Sequence, residues 1–350
     1  MNAPDRAALR LTQFSHGGGC GCKVAPALLR ELIAKATPGL VPKELLVGIE
    51  TADDAAVYRI NDTQAIVATT DFFMPIVDDP FDFGAIAATN AISDIYAMGA
   101  TPLFALALVA MPISQLPVAT IRRVLEGGEA ICAKAGIPIA GGHTIDSVEP
   151  IYGLAAIGIV DPTHLRRNAG AKAGDALILG KPLGVGIYSA ALKRGQLSAE
   201  QYAALLASTT QLNTPGVALG RLEAVHALTD VTGFGLLGHV LEMCRGSAVA
   251  AHLEFARVPL HPGIVALARE GIATGASARN WASYAAEVVE RSVDPIARVL
   301  LTDPQTSGGL LVACAPEAVE NVLAVFRAEA FEHAARIGAF VAGPASVTVS

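Results

Sequence analysis

The sequence predicts an α/β (α+β) protein of two domains, because strand-like and helix-like segments alternate along most of the chain. Its 350 residues exceed the usual size of a single domain. Hydrophobic residues make up 52% of the chain and charged residues only 16%, which supplies enough apolar side chains for a large core. A polar passage rich in Ala and Gly, residues 161–174, is the predicted junction between the two domains.

In the first half, segments with β-branched residues bounded by Asp, Asn or Gly predict strands, and helical spacing that stops at Gly predicts helices. The predicted strands are 45–50, 55–60, 64–71, 103–110, 137–140 and 152–160, and the predicted helices are 26–36, 83–98 and 121–135. The second half has predicted strands over 176–179, 248–255, 309–313 and 335–341, and helices over 186–194, 199–209, 217–228, 235–244 and 317–328. This alternation favours layers of helices packed on mixed sheets.

Charge, hydropathy and cysteine content argue against several classes of protein. A net charge of −7 without a basic cluster argues against nucleic acid as a partner. No apolar run reaches the ~18–20 residues that span a bilayer, and no apolar signal segment follows the N-terminus. We therefore expect a cytoplasmic protein with no membrane partner. Five cysteines, an odd number spread over the chain, do not predict a disulfide framework.

The segment His16–Lys23 combines four glycines with two thiols, an imidazole and an ammonium group. Glycine gives the backbone unrestricted dihedral angles, so this composition predicts a mobile loop that carries reactive groups. A thiol beside an ammonium group in a polar loop should have a lowered pKa. We therefore expect a nucleophilic or chalcogen-handling cysteine in this segment.

Other interpretations of this segment stay open. Cys20 and Cys22 with His16 supply only part of a tetrahedral zinc site, and incidental thiols in a loop are also possible. A phosphate-binding P-loop is excluded, because Val24 replaces the Ser or Thr after the lysine and no strand precedes the glycines.

Aspartates recur at predicted strand ends and within a helix that has no Lys or Arg. Five share this placement: Asp53, Asp54, Asp71, Asp94 and Asp230. Asp94 lies four residues after Asn90, on the same face of a helix of small and apolar residues, so we expect it to be buried. A buried carboxylate is costly unless it is paired or bound to metal. Carboxylate oxygens without histidine partners favour Mg²⁺, which usually carries substrate phosphates.

Two glycine-rich segments fit a phosphate ligand. Residues 140–144 follow a predicted strand, where backbone N–H groups could approach an anion. Residues 229–239 place an aspartate and three glycines at a predicted helix start, and helix N-termini favour anions. Together with the aspartates, these segments predict a site for a metal-bound polyphosphate.

These segments together resemble the selenophosphate synthetase (selenide, water dikinase) family. The resemblance covers nearly the whole chain and rests on residues 11–16 running into Gly-Cys-Gly-Cys-Lys, and on 69–78, 88–94, 141–143, 229–235 and 303–310. The Cys-Gly-Cys-Lys loop distinguishes this family from relatives such as aminoimidazole ribonucleotide synthetase, which has a similar aspartate pattern. One departure is Gly18, where relatives often have Ala.

The resemblance implies a fold, a reaction and an assembly. The implied fold is that of aminoimidazole ribonucleotide synthetase, with a mixed-sheet domain that forms a barrel at a dimer interface and a C-terminal α/β domain. We expect a flexible lid over 1–24, an ATP-binding and dimerisation domain over 25–165, and an α/β domain over 166–350. The implied reaction converts selenide, ATP and water to selenophosphate, AMP and orthophosphate. It requires Mg²⁺, with more than one ion expected.

The resemblance also assigns residues by position. Cys20 matches the catalytic cysteine of the family and Lys23 its essential lysine. The implied metal ligands are Asp54, Asp94 and Asp230. The implied nucleotide-binding residues are Lys23, Thr51, Ala52, Asp53, Asp71, Asp94, Gly142, His143 and Thr144, of which the last three would complete the ATP site of the second subunit in a homodimer.

Two alternative functions remain at this point. Another ATP-dependent enzyme of the same superfamily would activate an amide or carbamoyl oxygen, and the thiols beside Lys23 argue against it. A thiol-based metal-binding or redox-sensing protein would bind Zn²⁺ or Cu⁺ through Cys20 and Cys22 without ATP turnover. The set of aspartates counts against that second alternative.

Overall fold

The computed structural model describes residues 9–24, 28–29, 31–32, 41–48, 53–291 and 293–350. Thr51, Ala52 and most of the helix predicted over 26–36 lie outside these ranges. Within them, the chain forms two β-sheets, one in each half of the sequence, and each sheet packs against helices. In the described part, no helix combines the length and the apolarity that crossing a membrane requires.

The first sheet has six strands in the order β1-β2-β3-β6-β4-β5, so β1 and β5 are its edges. The strands are β1 (Leu45–Val47), β2 (Ala56–Asn61), β3 (Gln64–Phe73), β4 (Thr101–Met111), β5 (Ile139–Asp146) and β6 (Ile151–Val160). All neighbouring pairs are antiparallel except β4 and β5. In the described residues this sheet has two separate edge strands, and the barrel at a dimer interface stays a prediction.

Helices α1 (Pro80–Ala97) and α2 (Val118–Lys134) pack together, and α1 lies on the sheet. The Asp79 side chain caps the start of α1 by accepting a hydrogen bond from the Asp82 backbone. The two helices approach so closely that a Cβ at Gly84 would lie 1.8 Å from the Val124 carbonyl oxygen. Small residues on α1 therefore place its Asn90–Asp94 face, described below, close to both sheets.

The second sheet has seven strands in the order β10-β13-β9-β12-β7-β11-β8. These are β7 (Ala176–Leu179), β8 (Val225–Asp230), β9 (Ala250–Leu253), β10 (Val288–Glu290), β11 (Leu310–Cys314), β12 (Ala335–Val341) and β13 (Val347–Val349). Its helices are α3 (Val185–Lys193), α4 (Ala199–Thr209), α5 (Pro215–Gly220), α6 (Gly235–Ser247), α7 (Ile264–Arg269), α8 (Gly275–Tyr284), α9 (Ile296–Leu301) and α10 (Val319–Ala328). Strands β7, β11 and β8 are buried almost completely, which explains their continuous apolar sequence.

The predictions for β7, β12 and α4 agree with the structure at both ends, and most of the others agree within a few residues. The helix predicted over 217–228 is wrong, because α5 ends at Gly220 and the chain then forms β8. The apolar run of β8 is covered on both sides, so it lacks the alternation that marks a half-buried strand. Helices α7, α8 and α9 and strands β10 and β13 were not predicted.

The glycine-rich segment 140–144, which follows the predicted strand 137–140, is itself part of β5. Gly142 lies beside Ala107 of β4, and a Cβ at position 142 would lie 2.1 Å from the Ala107 carbonyl oxygen. Glycine is therefore needed here for close approach of two strands rather than for a turn. His143 and Thr144 continue this exposed edge strand.

Candidate active site

Three aspartate carboxylates meet between the two sheets. Asp54 precedes β2, Asp94 lies on α1, and Asp230 ends β8. One oxygen atom from each lies within 4.8 Å of the others, and among the described residues this is the one group of three or more His, Cys, Asp or Glu able to hold a metal ion. The sequence-predicted metal ligands are therefore brought together from residues as much as 176 positions apart.

Hydroxyl groups orient the three carboxylates, which we call the aspartate triad. Thr69 donates to Asp94 Oδ2 at 2.5 Å, and Thr229 donates to Asp54 Oδ1 at 2.8 Å. The Ser93 hydroxyl donates to Asp230 Oδ2. These donors leave Asp54 Oδ2 buried and without a hydrogen-bond partner. A buried carboxylate oxygen is costly to leave unsatisfied, so this atom fits the role of a ligand to a cation.

The electrostatics of the triad fit a divalent cation. Burial raises the pKa of all three carboxyl groups, and the charge of Asp230 further raises the pKa values of Asp54 and Asp94 well above their ordinary range. Like charges this close disfavour ionisation, whereas a bound cation would favour it. Oxygen ligands without sulfur or imidazole suit Mg²⁺ rather than Zn²⁺.

Asn90 connects the cysteine loop to the aspartates. Its Oδ1 accepts hydrogen bonds from Cys20 Sγ at 3.2 Å and from the Ser307 backbone at 2.7 Å. Its Nδ2 donates to Asp71 Oδ2 at 2.6 Å. Asn90 is fully buried. The sequence showed only that Asn90 and Asp94 share a helix face, and it did not predict this role for Asn90.

The segment predicted to be a mobile loop is packed against the site in the structure. Gly19–Cys22 forms a 3₁₀ turn, and Cys20 is 1% exposed. The Cys20 backbone N–H donates to Thr306 Oγ1 at 3.0 Å, and that of Gly19 donates to Met74 O at 2.8 Å. A Cβ at Gly233 would lie 2.5 Å from the Cys20 carbonyl oxygen, so the turn rests directly on the segment after β8.

The prediction of a lowered thiol pKa in this segment is wrong, because the pKa values of both Cys20 and Cys22 are raised. Burial raises the pKa of the Cys20 thiol well above its ordinary value, and the negative charge of Asp71 raises it further. The nearby Lys23 ammonium only partly offsets these effects. A thiol in an apolar, enclosed position keeps its proton at neutral pH. The sequence-based prediction assumed that the thiols of this loop are solvated and close to an ammonium group. It therefore did not include the burial of Cys20.

Lys23 extends from the same loop toward Asp71, with 3.3 Å between Nζ and Asp71 Oδ2. Burial acts to lower the pKa of Lys23, but the negative charge of Asp71 and of the neighbouring acids holds it well above its ordinary value. The lysine is therefore a permanent positive charge beside the aspartates. Its side chain is 39% exposed, which leaves it accessible to a ligand.

The other predicted site residues have different surroundings. Asp53 Oδ1 accepts a hydrogen bond from the Asn168 backbone at 2.8 Å, which joins the two halves of the chain. Gly142, His143 and Thr144 lie on the exposed edge strand β5 rather than in a loop. Among the described residues, His16 pairs with Glu149 at 2.9 Å rather than completing a zinc site with the thiols.

The segment 303–309 supports the site, although the sequence did not assign it a function beyond the family motif. Ser307 has a φ angle of +50°, unusual for a residue other than glycine, and its backbone N–H binds Asn90. Lys181, which is 2% exposed, donates to the carbonyl oxygens of Ser307 at 2.9 Å and Gln211 at 2.7 Å. Burial lowers the pKa of Lys181 to about 7. This buried amine ties the segment to β7 and α4.

Comparisons with protein families and solved structures agree with this architecture. The family model described as AIR synthase related protein, N-terminal domain, matches residues 52–160, and the corresponding C-terminal domain model matches residues 172–350. Thiamine-monophosphate kinase from Stenotrophomonas maltophilia has a TM-score of 0.63 at 24% identity, covering 93% of this chain and 96% of its own. The hydrogenase maturation protein HypE in complex with ATP has a TM-score of 0.60 at 21% identity, covering 83% of each chain. These likenesses show the aminoimidazole ribonucleotide synthetase-like fold.

Two full-length relatives carry a more specific name. The protein named selenide, water dikinase from Burkholderia orbicola (strain MC0-3) is 64% identical over 342 residues, which is 97% of each chain. The protein of the same name from Rhizobium meliloti (strain 1021) is 55% identical over 343 residues, or 98% of each chain. Identity at this level over almost the whole length, on an AIR synthase-related fold, means that this chain belongs to the selenide, water dikinase family.

Proposed function

We propose that this chain synthesises selenophosphate from selenide, ATP and water, releasing AMP and orthophosphate. The observation that carries the proposal is the position of Cys20 and Lys23, which extend from one loop toward Asp71 beside the aspartate triad. A thiol, a fixed cation and a cluster of carboxylates thus face one another. The full-length identity to proteins named selenide, water dikinase supports the same reaction.

In this proposal, Asp54, Asp94 and Asp230 hold Mg²⁺, and more than one ion is expected. The unpartnered Asp54 Oδ2 and the raised pKa values of the triad support a cation there. Bound Mg²⁺ would neutralise the charge that develops on phosphate oxygens when the phosphoryl bonds of ATP are broken. The hydroxyls of Thr69, Thr229 and Ser93 hold the three carboxylates in place for it.

Lys23 would add a point charge at a phosphate, and Asp71 would keep its ammonium in position. The nucleotide would lie along Thr51, Ala52 and Asp53, with Asp71 and Asp94 as further contacts of the site. The segment 1–24 would act as a lid that excludes water from selenide and selenophosphate. The packed position of Gly19–Cys22 supports a closed arrangement of that lid.

Cys20 would position selenium at the site. Because burial and Asp71 favour the protonated thiol, its proton would have to leave before any attack by sulfur. Asn90 Oδ1, which accepts the thiol hydrogen bond, orients the Sγ atom toward the aspartates. Cys22 would be auxiliary to this step.

The proposal includes a homodimer. The face of the first sheet that α1 does not cover carries exposed apolar side chains on β2, β3, β4 and β5, namely Tyr58, Phe72, Leu106 and Ile145. Exposed apolar surface of this kind is typical of an interface. A second copy packed there would cover the face, and Gly142, His143 and Thr144 would reach the partner's nucleotide.

The test is an anaerobic incubation of the protein with MgATP and selenide, followed by ³¹P NMR. We expect selenophosphate and AMP in equal amounts, with orthophosphate. Cys20→Ser should remove selenophosphate formation. ADP as the only nucleotide product would instead indicate another ATP-dependent enzyme of the superfamily, and no turnover with tight Zn²⁺ binding would indicate a thiol-based metal sensor.

A further inference from the structure

The two cysteines of the loop face different spaces. Cys20 Sγ contacts Asn90 on the side of the aspartates, whereas Cys22 lines a separate cavity of about 500 Å³. That cavity is bounded by the cysteine loop, by α3 and by the start of α8. It is far larger than one water molecule, whose share of liquid volume is about 30 Å³. Apart from the loop that bears Cys22, to which the proposed mechanism gives an auxiliary role, that mechanism uses no group in this cavity.

Two cations line the cavity, and the carboxylate of Glu149, which pairs with His16, acts on Lys193 and on Cys22 from a greater distance. Lys193 Nζ lies 3.1 Å from the Ser15 carbonyl oxygen, and Arg279 Nη2 lies 3.1 Å from the Gly21 carbonyl oxygen. Both acceptors are neutral, and within the described ranges neither cation has a carboxylate within 4.0 Å. The N-terminus of α8 opens on the same cavity at Gly275, and a helix N-terminus adds positive potential.

The Cys22 thiol completes this set of groups. Lys193 and Arg279 both lie close enough to act on the thiol electrostatically, each favouring its ionised form. Burial outweighs them and raises the pKa of Cys22 to about 11, so the thiol keeps its proton and can donate a weak hydrogen bond. The cavity therefore presents two full positive charges and a sulfur donor to whatever enters it. This combination suits a small, polarisable anion.

We propose that this cavity is a non-covalent binding site for hydrogen selenide, held by Lys193 and Arg279 against the Cys22 thiol before it reaches Cys20. This inference rests on the proposed function. No covalent bond forms or breaks at this site, and the anion keeps its proton. The bound form is the hydroselenide anion HSe⁻, which hydrogen selenide gives by losing one proton to water. This anion carries one negative charge and a soft selenium atom, which match the cations and the thiol respectively.

The cavity adjoins the turn that carries Cys20, on the other side of which lie the aspartates. Thr306 lines the cavity, and its Oγ1 accepts the backbone N–H of Cys20 at 3.0 Å. Gly18 and Ile76 also line the cavity, and Gly19 packs on Ile76 with no room for a Cβ. The loop backbone and the side chains of Thr306 and Ile76 therefore lie between the cavity and Cys20. A small movement of this loop would join the two spaces.

The test measures initial rates of selenophosphate formation by the full-length protein under anaerobic conditions. Selenide is varied at saturating MgATP, and ATP is varied at saturating selenide. For Lys193→Met and Arg279→Met we expect the KM for selenide to rise about 10-fold, the effect of losing one charge-assisted interaction. The KM for ATP and kcat should stay within twofold of wild type. Lys193→Arg keeps the charge and should restore most of the affinity for selenide.

A second readout separates charge from loop position. Added salt should raise the KM for selenide in the wild type, and this dependence should be weaker in Lys193→Met. Lys172→Met, an exposed lysine outside the cavity, is the matched control and should behave as wild type.

An unchanged KM for selenide in both cavity variants would overturn this inference while the proposed function stands. A parallel loss of kcat and ATP affinity would also overturn it, since the cations would then only hold the loop. A wild type that makes no selenophosphate would remove the proposed function itself.

Discussion

The sulfur of Cys20 lies 3.2 Å from the side-chain oxygen of Asn90, and the amide nitrogen of Asn90 donates to Asp71 at 2.6 Å. One buried amide thus holds the thiol of the loop and a carboxylate of the first sheet in fixed relation. Its oxygen also receives the Ser307 backbone N–H, so three separate segments depend on one side chain.

Replacing this amide should reduce activity strongly. Asn90→Leu keeps the volume but leaves the Ser307 N–H unsatisfied and Asp71 without its donor, at a cost of about 1–3 kcal/mol. We expect selenophosphate formation to fall about 10-fold to 100-fold, measured as initial rate by ³¹P NMR. Thr89→Val is the matched control, because Thr89 is equally buried and bonds only back along its own helix. A rate within twofold of wild type for Asn90→Leu would contradict the role of Asn90.

Magnesium affinity should rise with pH. The pKa values of Asp54, Asp94 and Asp230 are raised, so the metal-free protein holds protons there that Mg²⁺ must displace. When the pH rises from the ordinary aspartate pKa of about 4 toward the raised pKa values, these protons dissociate before Mg²⁺ binds. The affinity for Mg²⁺ therefore increases. Calorimetry in two buffers of different ionisation enthalpy should show proton release on Mg²⁺ binding.

The same measurement on Asp94→Asn should show weaker binding, by about 10-fold or more, and less proton release. Asp62→Asn, an exposed carboxylate in the β2–β3 turn, should leave both quantities unchanged. Binding that is independent of pH, with no proton released, would contradict a cation at the triad.

A side chain at position 233 should displace the cysteine loop. In Gly233→Ala the new Cβ would lie 2.5 Å from the Cys20 carbonyl oxygen and 3.2 Å from Lys23 Cδ. A shift of the reacting groups by about 1 Å can cost up to 100-fold in rate, so we expect kcat to fall at least 10-fold. Gly21→Ala, where the nearest contact would be an ordinary 3.4 Å, should retain most of the rate. Equal rates for the two variants would show that the packed loop position is not the active one.

A charge on the exposed face of the first sheet should disrupt the proposed homodimer. Leu106→Glu would bring two carboxylates together across a two-fold interface, and like charges in contact cost several kcal/mol. Sedimentation velocity should show a dimer for wild type and a monomer for this variant, with activity lost as the partner's His143 is removed. Val118→Glu, at an exposed position on the helix side, should remain dimeric. A dimer that survives Leu106→Glu would move the interface elsewhere.

Lys181 should make stability increase with pH in the alkaline range. Its pKa is about 7 in the folded protein and about 10.4 in an unfolded chain, so the unfolded state binds more protons between these values. The contribution of Lys181 to the free energy of unfolding therefore rises between pH 7 and pH 10, by up to roughly 1.4 kcal/mol per pH unit. Thermal unfolding at pH 7.5 and pH 9.0 should show that Lys181→Met lacks this increase relative to wild type. An identical pH response in the two proteins would mean that Lys181 stays charged in the fold.

Much of the site could be predicted from the sequence, because the residue types around each aspartate indicated its unusual surroundings. The carboxylates of Asp54, Asp94 and Asp230 stood out as acids in apolar surroundings, and the structure brings them within 4.8 Å of one another. The first part of strand β8 was mistaken for a helix since its residues are buried on both faces, and the strand predicted over 137–140 was ended before the β5 glycines. Both errors arose where contacts with other strands, rather than local propensity, decide the conformation.

The residue pattern by itself predicted the kind of fold, a set of five aspartates and the segment that carries Cys20 and Lys23, because these depend on residue types and their order. The family resemblance then selected Asp54, Asp94 and Asp230 from that set. Only the tertiary structure decided the state of that segment. Residues from β3, α1 and the segment 303–309 enclose Cys20, and this burial together with the charge of Asp71 raises its pKa, whereas the local sequence predicted the opposite shift. Burial and the charges of distant residues set the protonation of a thiol, and neither can be known until the chain has folded.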